Sequence, residues 1–190
     1  MLDSELTPRF MLTVQDSYES TIIGKEGIGN GKFKEPYRLF SLRPPGALPE
    51  PEFTAVCNRC GRCVQVCPSN ALCPMPITDG LANFETPHIV PRRNRCDLCL
   101  ACQKVCPTGA IAEVPLEEIR MGKAVIDKSR CIAWNEGKMC YICGEQCPVL
   151  AINADEYHRP TVLPDKCVGC GSCENACPID GEAAIRVFPN

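Results

Sequence analysis

Sixteen of the chain's 17 cysteines fall into four groups of four, and each group ends in Cys-Pro. Motifs I, II and IV share the spacing Cys-x2-Cys-x2-Cys-x3-Cys-Pro, whereas motif III has eight residues between its first two cysteines. Thiolates at this spacing are typical ligands of iron–sulfur clusters. The four motifs contain, in chain order, Cys57, Cys60, Cys63 and Cys67; Cys96, Cys99, Cys102 and Cys106; Cys131, Cys140, Cys143 and Cys147; and Cys167, Cys170, Cys173 and Cys177.

The spacing favours a cubane cluster over other uses of cysteine. Three cysteines within seven residues can wrap one face of a cube, and in two-cluster ferredoxins the fourth ligates the other cluster. A zinc site usually separates its two Cys-x2-Cys pairs by a dozen or more residues, and an odd number of cysteines argues against a disulfide framework. The sequence therefore predicts four [4Fe–4S] clusters, with all sixteen motif cysteines as cofactor and metal ligands. Cys73 is left over, and we expect a small, buried thiol there.

Two wirings of the four motifs are open, because each module needs two motifs that exchange their fourth cysteines. Residues 110–114 and 123–127 between motifs II and III could form a hairpin, whereas the proline-rich linker between motifs I and II lacks ladder donors. This contrast favours a nested wiring, with motifs I and IV around a central module of motifs II and III, over a sequential one. The nested ligand sets are Cys57, Cys60, Cys63 and Cys177; Cys167, Cys170, Cys173 and Cys67; Cys96, Cys99, Cys102 and Cys147; and Cys131, Cys140, Cys143 and Cys106.

The elements that must position these cysteines are short. Apolar stretches follow each Cys-Pro and precede motifs II to IV, which predicts short strands. The residues around each fourth cysteine suit a short helix, with proline in its first turn. The expected fold class is α+β, with tandem bacterial two-[4Fe–4S] ferredoxin-like modules over residues 53–190.

Residues 1–52 differ from the rest, since they hold no cysteine and end in a proline-rich run at 43–51. Such a run cannot form a helix interior or a central strand. We expect an extended N-terminal arm that packs either on the cluster region or on a partner.

Composition and charge restrict the function. A net charge of −3 gives no bulk electrostatic case for nucleic acid, and no run of 18 apolar residues exists to span a membrane. No export signal is visible at Met1, so the expected compartment is the cytoplasm, or the periplasm if such a signal has been removed. His88 and His158 lack a nucleophile–base context, which predicts a non-catalytic protein. Three arginines before motif II, at 92, 93 and 95, predict a solvated basic patch or a steering surface for an acidic partner.

The cysteine pattern is similar to that of bacterial polyferredoxins, and further segments narrow the resemblance. Residues 42–53, 131–149 and 183–189 resemble the ferredoxin-type subunits of periplasmic nitrate reductase and methylamine utilisation systems. The resemblance covers roughly residues 42–190. In plan, the chain also looks similar to the four-cluster small subunits of tungsten aldehyde oxidoreductases, which are cytoplasmic.

These resemblances imply an electron-transfer subunit in anaerobic metabolism. It would relay single electrons between a catalytic oxidoreductase subunit, such as a tungsten aldehyde oxidoreductase, and a second redox partner. The alternative is a quinol-side relay of an exported nitrate-reductase-type system. A row of clusters has two ends, so head-to-tail self-association is a further expectation.

Overall fold

The computed structural model describes residues 41–190, which lie in one compact unit. Short helices alternate with short strands along this region. The helices are α1 (Glu52–Val56), α2 (Arg62–Val66), α3 (Ala101–Lys104), α4 (Ile132–Asn135), α5 (Ile142–Glu145) and α6 (Ser172–Ala176). The strands are β1 (Leu72–Pro74), β2 (Pro87–Ile89), β3 (Gly122–Ile126), β4 (Ile152–Ala154), β5 (Pro160–Val162) and β6 (Ile185–Pro189). Short 3-10 turns lie at Ile77–Asp79 and Leu116–Glu118.

The strands form three two-stranded antiparallel ribbons. β1 pairs with β2, with Leu72 opposite Ile89, and β4 pairs with β5. β3 pairs with β6, with Ala124 opposite Val187. An isolated bridge joins Ala47 to Ile111. This combination of short helices and strands confirms the predicted α+β class.

The pairings divide the cysteine motifs into two modules. Module one joins the strand after motif I to the strand before motif II, and the segment before motif I to the segment after motif II. Module two joins motifs III and IV in the same way. The predicted hairpin of residues 110–114 with 123–127 is therefore wrong, because β3 pairs with the C-terminal strand instead.

The linker between motifs I and II forms the hairpin that its prolines were expected to prevent. Pro74 and Pro87 are opposite each other as the last residue pair of strands β1 and β2. Beyond the two strands, hydrogen bonds still join the two sides of the hairpin: the Met75 N–H donates to Thr86 O at 2.9 Å and the Glu85 N–H to Met75 O at 3.0 Å. Prolines that occupy non-bonding ladder positions are compatible with an edge strand.

Residues 41–52 belong to module one, so the predicted boundary between an arm and a cluster region at residue 52 is wrong. Arg43 is buried, and its guanidinium donates to Thr86 Oγ1 at 2.8 Å and to Pro87 O at 2.9 Å. It also forms a salt bridge with Glu50 at 2.6 Å and lies over the Phe53 ring. Of the two expected docking partners for the arm, this stretch contacts the cluster region; residues 1–40 lie outside the described residues.

The two larger of three hydrophobic clusters among the described residues form the cores of the modules, and motif IV contributes to both. The first contains Phe53, Leu72 and Ile89 of module one, and the second contains Ala151 and Ile185 of module two. Val168 and Cys170 of motif IV pack in the first core, whereas Cys167 and Cys173 pack in the second. Among the described residues, no helix is long and apolar enough to cross a lipid bilayer.

Candidate iron–sulfur sites

The cysteine loops of motifs I, II and IV share one backbone conformation. The second residue after the first cysteine and the residue after the second cysteine both have left-handed φ angles. These residues are Arg59 and Gly61, Leu98 and Leu100, and Gly169 and Gly171. Alternation of right- and left-handed residues turns successive N–H groups to one side of the chain, which creates a concavity for an anionic group.

A short helix follows each loop and carries the third cysteine of its motif. Cys63 lies in α2, Cys102 in α3, Cys143 in α5 and Cys173 in α6. Helices α2 and α6 end at the fourth cysteine, which caps them in an extended conformation. The sequence predicted helices that begin at the Cys-Pro dipeptide. In the structure the helices lie before it, so this part of the prediction is wrong. A chain ending its helix before proline is the expected behaviour, since proline disfavours a helical residue in front of it.

Motif III reaches the same arrangement despite its insertion. Cys131 lies at the start of α4, and an exposed loop over residues 135–139 returns the chain to Cys140. Trp134 of α4 donates its indole N–H to Pro160 O at 2.9 Å. Its ring lies between the Lys128 ammonium, 4.0 Å from the centroid, and the Arg159 guanidinium at 4.4 Å. These contacts fix the insertion on module two.

The structure brings the sixteen motif cysteines into four thiol sets, which we number by the motif that supplies three members. Set I is Cys57, Cys60, Cys63 and Cys106; set II is Cys96, Cys99, Cys102 and Cys67; set III is Cys131, Cys140, Cys143 and Cys177. Each of these three sets lines one pocket. The remaining four cysteines, Cys167, Cys170, Cys173 and Cys147, are grouped as set IV because Cys167 and Cys173 pack in one core with Cys147 against them. Burial raises the pKa of the Cys170 thiol, and the nearby Cys147 and Cys167 thiols raise it further.

The nested wiring is therefore wrong. It placed Cys177 with Cys57 and Cys106 with Cys131, whereas Cys106 shares a pocket with Cys57 and Cys177 shares one with Cys131. The strand pairings explain which fourth cysteine joins which set. The strand after motif I pairs with the strand before motif II, and the strand after motif III with the strand before motif IV, so each fourth cysteine lies beside the other motif of its own module. The prediction is wrong because Pro74 and Pro87 lie opposite each other at a ladder position that needs no N–H donor, so the linker prolines do not prevent pairing.

The remaining cysteine has a different environment. Cys73 lies opposite His88 in the β1–β2 ribbon, with its sulfur 3.7 Å from His88 Nε2 and 3.8 Å from Nδ1. The sequence predicted a buried thiol at this position, and the structure shows a half-buried one.

The pockets suit a group larger than one metal ion. Among residues 41–190, no three His, Cys, Asp or Glu side chains lie close enough together to hold a single ion. The thiols instead surround pockets whose other walls are mainly apolar, such as Ile126, Ile142 and Ile179 around set III. Four cysteines around a space of this kind match the ligand requirement of a [4Fe–4S] cluster.

Backbone N–H groups point at the sulfur of the fourth cysteines. The Ile111 N–H donates to Cys106 Sγ at 3.3 Å, the Ala151 N–H to Cys147 Sγ at 3.2 Å and the Ala184 N–H to Cys177 Sγ at 3.4 Å. Although burial opposes it, such backbone hydrogen bonds hold the pKa of Cys106 below its usual value, and likewise that of Cys67. These bonds favour the thiolate, the form that ligates a metal.

The third cysteines, which lie in the short helices, have raised rather than lowered pKa values. Burial, with neighbouring thiols, raises the pKa of Cys63 to about 11 and the pKa values of Cys102 and Cys143 to about 12. A buried thiol with so high a pKa becomes a thiolate only beside a strong positive charge, which bound iron supplies. The donor sets therefore fit iron–sulfur clusters chemically as well as geometrically.

Arg92 has a role that the sequence did not reveal. The expected solvated patch is wrong for this residue, because its guanidinium donates to main-chain carbonyls of motif IV, at 3.1 Å to Glu174 O and 2.7 Å to Cys177 O. Arg93 and Arg95 are exposed. In the sequence the three arginines look alike, and only the fold distinguishes them.

Comparison with protein families reproduces part of this organisation. A family model described as a 4Fe-4S dicluster domain matches residues 56–110, and one described as a 4Fe-4S binding domain matches residues 160–181. The dicluster match contains motifs I and II together, in agreement with their union in module one.

Two curated relatives cover most of the chain. The methylamine utilization ferredoxin-type protein MauM of Methylophilus methylotrophus is 41% identical over 162 residues, which span 78% of this chain and 70% of that protein. The ferredoxin-type protein NapG of Escherichia coli (strain K12) is 38% identical over 165 residues, spanning 78% of this chain and 70% of NapG. This chain belongs to the family of ferredoxin-type proteins that includes MauM and NapG. It is an iron–sulfur electron-transfer protein with 4Fe-4S domains, and the predicted resemblance is confirmed.

Proposed function

We propose that the chain holds four [4Fe–4S] clusters, one in each thiol set, and acts as a non-catalytic relay of single electrons. The observation that carries the proposal is the grouping of all sixteen motif cysteines into four sets of four. A bound [4Fe–4S] cluster supplies a one-electron redox centre. The protein's own contribution is to hold each set of thiols, exclude water with apolar walls and donate N–H groups to sulfur, which tunes the reduction potential.

The partners in this proposal are an oxidoreductase and a second electron donor or acceptor. Similarity to the ferredoxin-type proteins MauM, named for methylamine utilisation, and NapG supports a role as the electron-transfer component of a larger redox system. A tungsten aldehyde oxidoreductase stays a prediction that rests on a similar overall plan. The cytoplasm, or the periplasm after removal of an export signal, likewise stays a prediction, and cell fractionation with the full-length gene product distinguishes the two.

Set I offers an accessible contact for a partner, since Cys60 and, in set II, Cys99 are the two exposed motif cysteines. Residues 58–60 of its loop are exposed, and they include the ligand Cys60. Electron exchange with another protein requires a close approach, so an exposed ligand loop favours this end of the molecule as an exchange site.

Metal analysis after anaerobic purification tests the proposal. Four cubanes require about sixteen iron and about sixteen sulfide per chain. Zinc without sulfide would instead indicate a structural zinc protein, and iron near eight would leave two sets unassigned.

Two substitutions test the ligand sets. The Cys106→Ser variant should perturb the electron paramagnetic resonance signal of the centre bound by Cys57, as should the Cys57→Ser variant, because both residues belong to set I. Cys73→Ser is the matched control and should retain all iron. A Cys106→Ser variant that perturbs the centre bound by Cys131 would contradict the sequential sets.

A further inference from the structure

Motif IV lies between the two modules rather than at the edge of one. All eight residues 167–174 are buried. Val168 and Cys170 are 5% and 7% exposed and pack in the core of module one, whereas Cys167 and Cys173 pack in the core of module two. A single ligand loop therefore connects both cores.

A direct hydrogen bond joins two motif cysteines across this boundary. The Cys96 N–H of set II donates to the Cys170 carbonyl of set IV at 2.9 Å. A second bond runs beside the first, from the Met121 N–H to Val168 O at 3.0 Å.

Within each module the helices bring the two sets together. Helices α2 and α3 pack against each other and carry Cys63 of set I and Cys102 of set II. Helices α5 and α6 pack in the same way and carry Cys143 of set III and Cys173 of set IV. The four sets therefore follow the spatial order I, II, IV, III, with the contact between Cys96 and Cys170 at the centre.

Arg92, four residues before Cys96, fastens motif IV to module one. Its guanidinium donates to four carbonyls that follow the loop of set IV. These are Glu174 O at 3.1 Å, Cys177 O at 2.7 Å, Gly181 O at 3.1 Å and Ile179 O. Asn175 returns a bond from its side-chain amide to Pro91 O at 3.2 Å. The planar fork of a guanidinium can satisfy several acceptors at once, which a lysine cannot do.

We propose that electrons pass between the two modules at the Cys96–Cys170 hydrogen bond, and that Arg92 is the positioning residue that holds this contact closed. The inference rests on the proposed function, since it requires sets II and IV to bind redox centres. Electron-transfer rates fall steeply with distance, so a small separation of the modules breaks the path without removing any ligand.

The test compares Arg92→Lys, which keeps the charge and loses the fork, with the matched control Arg93→Lys on the exposed neighbour. Iron and sulfide are measured first. About sixteen of each in the wild-type protein and both variants upholds the proposed function, and a lower wild-type value contradicts that function independently of the inference.

Two readouts then address the contact itself. In Arg92→Lys, the Cys96 amide should exchange with deuterium at least about tenfold faster, because its bond to Cys170 opens more often. The paramagnetic resonance spectrum of the fully reduced protein should lose the magnetic coupling between sets II and IV and retain the coupling within each module. Arg93→Lys should match the wild type in both measurements.

The opposite results overturn the proposal in distinct ways. Unchanged Cys96 exchange in Arg92→Lys removes the positioning role of Arg92. Faster deuterium exchange of the Cys96 amide with unchanged magnetic coupling between sets II and IV would show that electrons pass between the modules elsewhere than at Cys96 and Cys170. If Arg92→Lys loses iron, Asn175→Asp replaces it and should give a smaller increase in Cys96 exchange with full iron content. Loss of iron in that variant as well assigns both residues to folding alone and overturns the proposal.

Discussion

Motifs I and IV have the same cysteine spacing and the same left-handed loop positions, yet their surroundings are opposite. Residues 58–60 of motif I are exposed, whereas residues 167–174 of motif IV are all buried. At Gly61 an added Cβ would meet nothing within 4 Å, whereas at the equivalent Gly171 it would lie 2.7 Å from the Pro91 Cβ. The spacing thus specifies the local ligand loop, and the packing of the two modules decides which loop faces solvent.

The difference bears on function because the two loops have different neighbours. The motif I loop exposes residues 58–60 to solvent, whereas other residues of this chain bury the motif IV loop. In the proposed relay, the first position suits exchange with a partner and the second suits transfer within the molecule.

The largest effect is expected from alanine at the two matched glycines, Gly61 and Gly171, each of which follows the second cysteine of its motif. Gly171→Ala should lower the free energy of unfolding by about 3 kcal/mol, since it adds a clash with the rigid Pro91 ring to the cost of a left-handed alanine. Gly61→Ala has the same φ cost without the clash and should lose about 1 kcal/mol. Anaerobic denaturant titration measures both. Equal losses would show that the motif IV loop can move away from Pro91, and would remove the contrast.

Chelation of iron should separate the same two loops by rate. We expect a chelator to remove iron from set I before set IV, because residues 58–60 of motif I are exposed, Cys60 among them, whereas residues 167–174 of motif IV are buried. Paramagnetic resonance on the partly depleted protein identifies the centre that was lost. Release of iron from set IV before set I would contradict the assigned burial difference.

Arg59 offers a smaller change confined to the open loop. Its guanidinium donates to Phe84 O at 3.0 Å and to Ala82 O at 2.9 Å, which anchors the loop to the β1–β2 hairpin. Arg59→Ala should cost about 1 kcal/mol of stability and speed chelation from set I, because the loop loses these exposed bonds. Arg62→Ala removes an equal charge three residues later, at the start of α2, and is the control. If both variants accelerate chelation equally, charge rather than anchoring controls access.

The smallest effect is expected at a cysteine outside all four sets. Cys73→Ser should keep every iron and lower stability by less than about 1 kcal/mol, because the hydroxyl can replace the weak sulfur contact with His88. Iron analysis with denaturant titration checks both values. A loss of about four irons would make Cys73 a ligand and require a revised set.

The sequence predicted the local chemistry more reliably than the long-range organisation. Cysteine spacing identified the sixteen residues that the structure groups, because three ligands of each set come from one short loop. The fourth ligand depends on strand pairing far along the chain, and there the prolines misled. Pro74 and Pro87 lie opposite each other at the end of a ladder, an arrangement that their positions in the linker do not reveal.

Two further features depend on tertiary context. Arg43 lies in a proline-rich run typical of an extended arm, but its buried bonds to residues 86 and 87 make that run part of module one. Arg92 resembles its exposed neighbours in sequence, and its acceptors lie more than 80 residues away along the chain. Side chains that bind distant main-chain carbonyls leave no periodic signal in the sequence.

The stack of Trp134 between Lys128 and Arg159 has a practical consequence. Trp134 is the chain's one tryptophan, and it stands three residues after Cys131. Its indole emission would be quenched by an iron–sulfur centre in set III and much less by one in set I, which belongs to the other module. The protein thus contains an intrinsic optical reporter for module two rather than module one, and stepwise reconstitution of the two modules can be followed by fluorescence without an added label.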